Sequence, residues 1–260
     1  MSGVESVVSE ETRKKRKKKD KKDMEMTVVD HLAELRKRLI VSVVAVAVAL
    51  GVSFIFVGDI MGFIRKPMGD YQLIFIAPSE MFMTNLKVAF FTGLFVAMPV
   101  VLYEVWAFVS VGLLANERRY IVVGLPVSIV LFAGGAAFCY YLLLPVALKF
   151  LLGFAAEGIQ PMISVSKYVS FMGLMLLSVG AVFEMPLVIL ILNRIGILPY
   201  RTLSRNRQYA FLIILIVAAV ITPSTDVFTL ILLAIPIYAL YEVSVWLALL
   251  AERRRKDEIG

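Results

Sequence analysis

The sequence predicts an all-α integral membrane protein with six transmembrane helices. Apolar residues make up 60% of its 260 residues and the mean hydropathy is +0.86, which exceeds the usual composition of a soluble globular domain. Several uninterrupted apolar runs are also long enough to cross a bilayer as helices. The one cysteine, Cys139, lies inside such a run, so the chain cannot form an intrachain disulfide.

Six apolar segments give the predicted spans, which cover residues 39–57, 82–103, 120–144, 168–192, 209–222 and 227–250. The fifth has fourteen residues, or about 21 Å of helix, against about 30 Å of bilayer hydrocarbon. Either a short hairpin packs behind longer helices, or the bilayer is functionally thinned there. The Gly-Gly-Ala-Ala run at 134–137 predicts a flat surface for close helix contact. Prolines inside spans predict kinks at Pro99, Pro126 and Pro236.

The charge distribution predicts that both termini are cytoplasmic. Residues 1–38, segments 104–119 and 193–208, and the C-terminal tail hold twenty-two of the twenty-seven Lys and Arg residues. We expect residues 1–26 to be a disordered basic tail, 27–250 the membrane domain and 251–260 a second basic tail. Because these cations flank the spans, they indicate attraction to anionic membrane lipids rather than binding of nucleic acid.

The segment 31–39 combines one acid with three cations directly before the first span. Cations at this position are expected in any membrane protein, because they keep the N-terminus in the cytoplasm. That role does not account for the acid, Glu34. Glu34 and Arg38 are four residues apart, so they can pair on one face of a helix.

A second acid, Glu117, is predicted on the same membrane face as Glu34, in an Asn-Glu-Arg-Arg segment that could also be a simple interfacial helix start. Trp106 and Phe108 lie between the two acids in the sequence and predict an aromatic platform at headgroup level. Two carboxylates beside such a platform would suit a ligand with paired guanidinium groups, which meet carboxylates in a planar two-bond geometry.

Glu184 lies inside the fourth span, ten residues before Arg194, which corresponds to about 15 Å of helix and places it near the midplane. A carboxylate at that depth is costly, so it must be protonated, paired or facing a wet cavity. A neutral Glu184 hydrogen-bonded between helices would be purely structural. Glu104 and Glu242, near the cytoplasmic ends of their spans, are less informative because water is closer there.

Five motifs together resemble the TatC family, the multispanning receptor of the twin-arginine protein translocase. They occur in the family's order from about residue 27 to 250, namely HLxELRxRL at 31–39, LYxVWAF at 102–108, ERR at 117–119, FExP at 183–186 and TPxxDVF at 222–228. The resemblance implies a six-helix bundle with a concave, glove-like face and both termini in the cytoplasm. It also implies a receptor for twin-arginine signal peptides on folded cargo, in a bacterial inner membrane, driven by the proton motive force.

The resemblance further implies roles for individual residues. Glu34 and Glu117 would contribute to signal-peptide recognition, with Arg36 and Phe108 in support, and Glu184 would be the family's intramembrane acid. Partner docking by single-span TatA and TatB subunits would involve Thr222 and Asp226. Leu230 departs from relatives that carry a polar residue there. A homo-oligomer within a receptor complex is expected, with neither a cofactor nor a metal.

Other classes of membrane protein fit the residues less well. A proton-coupled small-solute secondary transporter would use a midplane acid such as Glu184, but would usually show two related halves, and no convincing internal repeat is present. An intramembrane hydrolase lacks its chemistry, because the one histidine, His31, lies outside the spans and the chain has no HExxH sequence. A nucleotide-driven motor would need a GxxxxGK[ST] loop, which is also absent. We therefore expect a protein that is not an enzyme.

Overall fold

The computed structural model of the protein describes residues 28–69, 71–111, 118–154, 161–222 and 226–257, with the backbone alone at 28–30, 111, 118–123 and 254–257. Its long helices are α1 (Val28–Ile55), α3 (Pro78–Val111), α4 (Arg118–Phe138), α6 (Val165–Phe183) and α10 (Val227–Asp257). Shorter helices are α2 (Val57–Arg65), α5 (Leu144–Leu152), α7 (Met185–Arg194), α8 (Tyr200–Arg205) and α9 (Arg207–Ile221). Two strands, β1 (Leu73–Ile74) and β2 (Ile163–Ser164), a 3₁₀ turn at Lys66–Met68 and a π-helical turn at Cys139–Leu143 complete the described elements.

Five helical segments are long and apolar enough to cross a membrane, namely His31–Ile55, Pro78–Ser110, Gly124–Leu152, Val165–Arg194 and Val227–Arg253. The sixth apolar helix, α9, has fifteen residues and matches the short fifth span predicted from the sequence. The six-helix prediction is therefore confirmed. The predicted tail 1–26 lies outside the described residues, and α10 continues into the predicted C-terminal tail as far as Asp257.

Two spans are interrupted just before prolines. α3, α4 and α10 continue through Pro99, Pro126 and Pro236, where kinks stay a prediction. The third span instead changes to a π-helical turn at Cys139–Leu143, two residues before Pro145. The fourth changes at Glu184, two residues before Pro186. A proline ring displaces the carbonyl four residues earlier, so disruption before a proline is its ordinary effect.

Small residues set how closely the helices pack. A Cβ atom at Gly93 of α3 would lie 2.6 Å from the Leu50 Cα of α1, so these two backbones approach as only glycine allows. Gly135 of α4 similarly lies against the Phe183 ring of α6, where a Cβ would meet ring atoms at 2.6 Å. The contact surface predicted at 134–137 therefore packs against α6, and Gly135 makes the close contact.

Following the predicted orientation, we call the end of the bundle with His31 and Phe108 the inner end. The end with β1 and β2 is the outer end. At the outer end β1 pairs with β2 in parallel, and Glu80 accepts hydrogen bonds from the Ile76 backbone N–H and the Ser164 hydroxyl. This small sheet was not predicted, because two-residue strands carry no periodic signal. It joins the connection before α3 to the connection before α6.

At the inner end a partly buried side-chain network holds the connection between α7 and α9. Glu252 of α10 accepts from the Asn193 side-chain amide at 2.9 Å and from the Tyr200 backbone N–H at 2.6 Å. Ten residues earlier on α10, Glu242 pairs with Arg207 of α9 at 3.0 Å. α10 therefore anchors the segment that leads into the short α9.

Candidate functional site

An arginine at the inner end joins two acids from different helices. Arg38 Nε donates to Glu34 Oε1 at 2.7 Å, within α1. Its Nη1 donates to Glu104 Oε2 at 2.9 Å, across to α3. The predicted pairing of Glu34 with Arg38 is therefore observed, and Glu104 extends it to a group of three. We call Glu34, Arg38 and Glu104 the inner triad.

The three members of the inner triad differ in their access to solvent. The side chains of Arg38 and Glu34 are about a quarter exposed, at 25% and 24%, whereas that of Glu104 is 9% exposed. A nearly buried carboxylate requires a partner of opposite charge, which explains why Arg38 is held towards α3. The triad carries two negative charges and one positive charge, so one carboxylate charge is left uncompensated within it.

Glu104 was missed as a site residue by the sequence reasoning. Its position near the end of a span suggested that water would be close. Instead, Glu104 contacts Arg38 of α1 and is nearly buried. The available signal was an acid inside an otherwise apolar stretch of a long helix, from Val100 to Val109. Its partner could not be identified, because Arg38 lies 66 residues away in the chain.

The other inner-end residues singled out from the sequence are only partly brought together. The Phe108 ring packs on the His31 ring, with centroids 4.5 Å apart, so Phe108 lies beside the start of α1 as a supporting role requires. Arg36 is exposed on the same helix. Glu117 lies outside the described residues, and its position relative to Glu34 stays a prediction.

The prediction that Trp106 belongs to an aromatic platform at headgroup level is wrong, because Trp106 is buried inside the bundle. Residues two apart on a helix point about 200° apart, so Trp106 cannot share the face that Phe108 presents to His31. Trp106 Nε1 instead donates to Ser128 Oγ of α4 at 3.0 Å. The indole therefore fastens α3 to α4.

Ser128 links Trp106 to Glu184, because it accepts a hydrogen bond from Trp106 and donates one to Glu184. Its hydroxyl donates to Glu184 Oε2 at 2.6 Å, and both side chains are buried. Glu184 Oε1 is buried without a hydrogen-bond partner among the described residues. The arrangement favours the hydrogen-bonded interhelical interpretation of Glu184 over a water-filled depression. We call Trp106, Ser128 and Glu184 the intramembrane relay.

The backbone at Glu184 explains how the carboxyl reaches Ser128. α6 ends at Phe183 and α7 begins at Met185, and Pro186 has no N–H with which to continue the ladder. The Glu184 carbonyl still accepts from the Val188 N–H at 3.0 Å. The fourth span therefore continues through a local break that carries an acid.

The two residues predicted to dock partners make local contacts. Thr222 is buried, and its hydroxyl donates to the Ala218 carbonyl at 2.7 Å. Asp226 Oδ1 accepts from the Thr229 backbone N–H at 2.6 Å, as an N-cap of α10 does. Within the described ranges no group of three His, Cys, Asp or Glu residues could hold a metal ion.

Comparison with known proteins gives a consistent result. The family model described as Sec-independent protein translocase protein (TatC) matches residues 30–236. A TatC protein of Carboxydothermus hydrogenoformans is 38% identical, over 87% of this chain and 94% of its own length. A TatC protein of Aquifex aeolicus is 36% identical, over 89% of this chain and 98% of its own. A crystal structure of the twin-arginine translocase receptor TatC superimposes with a TM-score of 0.77 and 37% identity, over 85% of this chain and 99% of the other.

Proposed function

This chain belongs to the TatC family of Sec-independent protein translocase proteins, and we propose that it is the receptor that binds twin-arginine signal peptides. It is a multi-pass membrane protein. In the proposed function it recognises the peptide at the inner end of the bundle and organises export of the folded cargo. The proton motive force supplies the energy, and the chain itself carries out no covalent chemistry.

The inner triad is the observation that carries this proposal. An arginine that is already bonded to Glu34 and Glu104 supports a site for guanidinium groups there. An incoming peptide arginine binds the partly exposed Glu34, while Arg38 keeps its bond to the more deeply buried Glu104. Such an exchange replaces one charge-assisted hydrogen bond by another of the same kind, so Glu34 is not left buried and unpaired.

The second peptide arginine is assigned to Glu117, with Arg36 and Phe108 lining the approach. One surplus negative charge in the triad, together with Glu117, provides the two charges that two guanidinium groups require. Because the arginine fork presents paired donors and lysine presents a point charge, the site distinguishes arginine from lysine by geometry.

The remaining assignments follow from family membership. Single-span subunits of the TatA and TatB type are the partners, and α9 with Thr222 and Asp226 is the proposed docking side. The membrane is a bacterial plasma membrane with both termini in the cytoplasm, and several copies assemble in a receptor complex. The basic tails at 1–26 and 251–260 attract anionic lipid.

The experiment is a binding measurement with two matched signal peptides. The purified protein in detergent is titrated with a fluorescent twin-arginine peptide and with the same peptide carrying two lysines. We expect the lysine peptide to bind at least roughly tenfold more weakly, because it loses the two-bond geometry while keeping its charge. Equal affinity for both peptides would show that the inner end attracts positive charge without recognising arginine.

A further inference from the structure

A lysine near the outer end carries a charge that the proposed receptor function does not use. Lys87 of α3 points its ammonium group at α6, where Nζ donates to Ser166 Oγ at 2.8 Å and to Ser170 Oγ at 2.9 Å. Both partners are neutral hydroxyls. Lys87 takes part in none of the ion pairs found among the described residues.

The two hydroxyls are arranged to receive a cation. Ser170 Oγ donates its own proton to the Ser166 carbonyl at 2.9 Å, so towards Lys87 this oxygen can only accept. An ammonium group has three donors, and the two serines take two of them. The nearest acid on α3 towards the outer end, Glu80, is bonded to Ile76 and Ser164.

The ammonium group lies near the outer end of α6. Ser166 and Ser170 lie in the first two turns of α6, which begins at Val165 directly after the outer strand β2. Lys87 lies nine residues into α3, and its long side chain directs the charge towards the outer end, as lysine side chains inside a bilayer reach for the interface.

An apolar cavity of about 380 Å³ opens beside this charge. Its walls are Leu50 of α1, Leu86, Phe90 and Phe91 of α3, and the polar pair Lys87 and Ser170. Leu86 and Phe90 are also exposed on the surface that faces bilayer hydrocarbon. The cavity is too small for a partner helix. A helix is about 10–12 Å across, so the cavity volume would hold less than roughly one helical turn. A single acyl chain is narrow enough to enter.

We propose that Lys87 and this cavity form a binding site for one anionic phospholipid of the outer leaflet. A phosphate oxygen accepts a hydrogen bond from the remaining N–H of the Lys87 ammonium group. One acyl chain lies against Leu86 and Phe90 and extends towards Leu50. The lipid phosphate supplies the counter-charge that the described residues do not provide, and the lipid acyl chain fills the apolar cavity. Because Leu50 also packs on Gly93, the acyl chain lies directly beside the closest contact between α1 and α3.

The experiment measures lipid retention by native mass spectrometry of detergent-purified protein incubated with phosphatidylglycerol or with phosphatidylcholine. The wild-type protein should retain one phosphatidylglycerol molecule preferentially. Lys87→Gln should lower that retention roughly tenfold or more, the size expected for loss of one charge-assisted hydrogen bond, and Lys87→Arg should preserve it. The control is Lys66→Gln, which removes an exposed cation at the same end and should leave retention unchanged.

A second variant tests the cavity separately from the charge. Leu86→Trp places a larger side chain at the wall and should displace the acyl chain, lowering retention although Lys87 is intact. Equal retention of phosphatidylglycerol by wild type, Lys87→Gln and Leu86→Trp would overturn the proposal. It would also be overturned if Lys66→Gln lowered retention as much as Lys87→Gln does, or if a photo-crosslinker at Leu86 captured a protein helix in the membrane instead of lipid.

Discussion

Glu104 and Trp106, two residues apart on α3, bond to different neighbouring helices. Glu104 accepts from Arg38 of α1, whereas Trp106 donates to Ser128 of α4. Side chains two apart lie on nearly opposite sides of a helix, so one short stretch of α3 joins the inner triad on one side to the intramembrane relay on the other. Any displacement of α3 caused by a ligand at Glu34 would therefore act on the hydrogen bond that reaches Glu184.

The first prediction concerns the two acids assigned to the peptide arginines. Glu34→Ala and Glu117→Ala should each weaken binding of the twin-arginine peptide about ten- to a hundredfold, because each removes a charge-assisted contact of about 1.5–3 kcal/mol. Peptide titration of purified protein gives the affinities. Glu242→Ala is the control, since that acid pairs with Arg207 at the same end of the bundle. Unchanged affinity in both variants would remove these residues from the site.

The second prediction concerns Glu104, whose contact with Arg38 is the long-range part of the triad. Glu104→Ala should reduce stability by about 1–3 kcal/mol, because the Arg38 guanidinium loses an acceptor at a nearly buried position. Glu104→Gln keeps an acceptor oxygen and should cost less. Thermal unfolding in detergent measures both. If both variants were as stable as the wild type, the bond to Arg38 would contribute nothing measurable to folding.

The third prediction concerns Glu184 and its hydrogen bond to Ser128. Glu184→Gln keeps the shape and a polar group, so it should retain much of the transport of folded cargo, whereas Glu184→Ala leaves a hole and should lose transport while still inserting. Ser128→Ala removes the hydroxyl that donates to Glu184 and should resemble the Ala variant. Transport is measured by appearance of a folded reporter across the membrane.

Two results would change that interpretation. Full transport by Glu184→Ala would make the residue a tolerated interior carboxyl. A Gln variant as inactive as the Ala variant would show that the ionisable carboxyl itself is required.

The fourth prediction concerns the docking side on α9. A short apolar helix matches a partner of similar length better than it matches surrounding lipid. Single cysteines at the exposed positions Ala219 and Val220 should crosslink to a single-span partner. Crosslinks that formed only on α4 would place the docking side elsewhere.

The fifth prediction concerns the contact between α1 and α3. Gly93→Ala would bring a Cβ to 2.6 Å from the Leu50 Cα, and the backbones would have to separate at a cost of about 1–3 kcal/mol. Gly134→Ala is the matched control, because no atom lies within 4 Å of the Cβ it would add. Thermal unfolding in detergent should show a lower Tm for the Gly93 variant alone. Equal Tm values would mean that the contact relaxes freely.

The sequence by itself determined the class of protein, the six helices and the short fifth span. Those features depend on hydropathy and length, which are sums over local residues and need no knowledge of which helices touch. The pairing of Glu34 with Arg38 was equally predictable, because one turn of α1 brings them together. The position of Glu184 inside the fourth span was likewise predictable, because depth follows from counting residues along the helix.

Only the tertiary structure decided which side chains from distant segments meet. Glu104 reaches Arg38 across 66 residues, and Ser128 reaches Glu184 across 56. Helical periodicity gives each residue a face but does not say which neighbour covers that face, so Glu104 was undervalued and Trp106 was assigned to the surface. The same reason applies at the outer end, where Lys87 meets two serines of α6. Those contacts depend on how the helices are arranged around one another, which close packing at Gly93 and Gly135 helps to set.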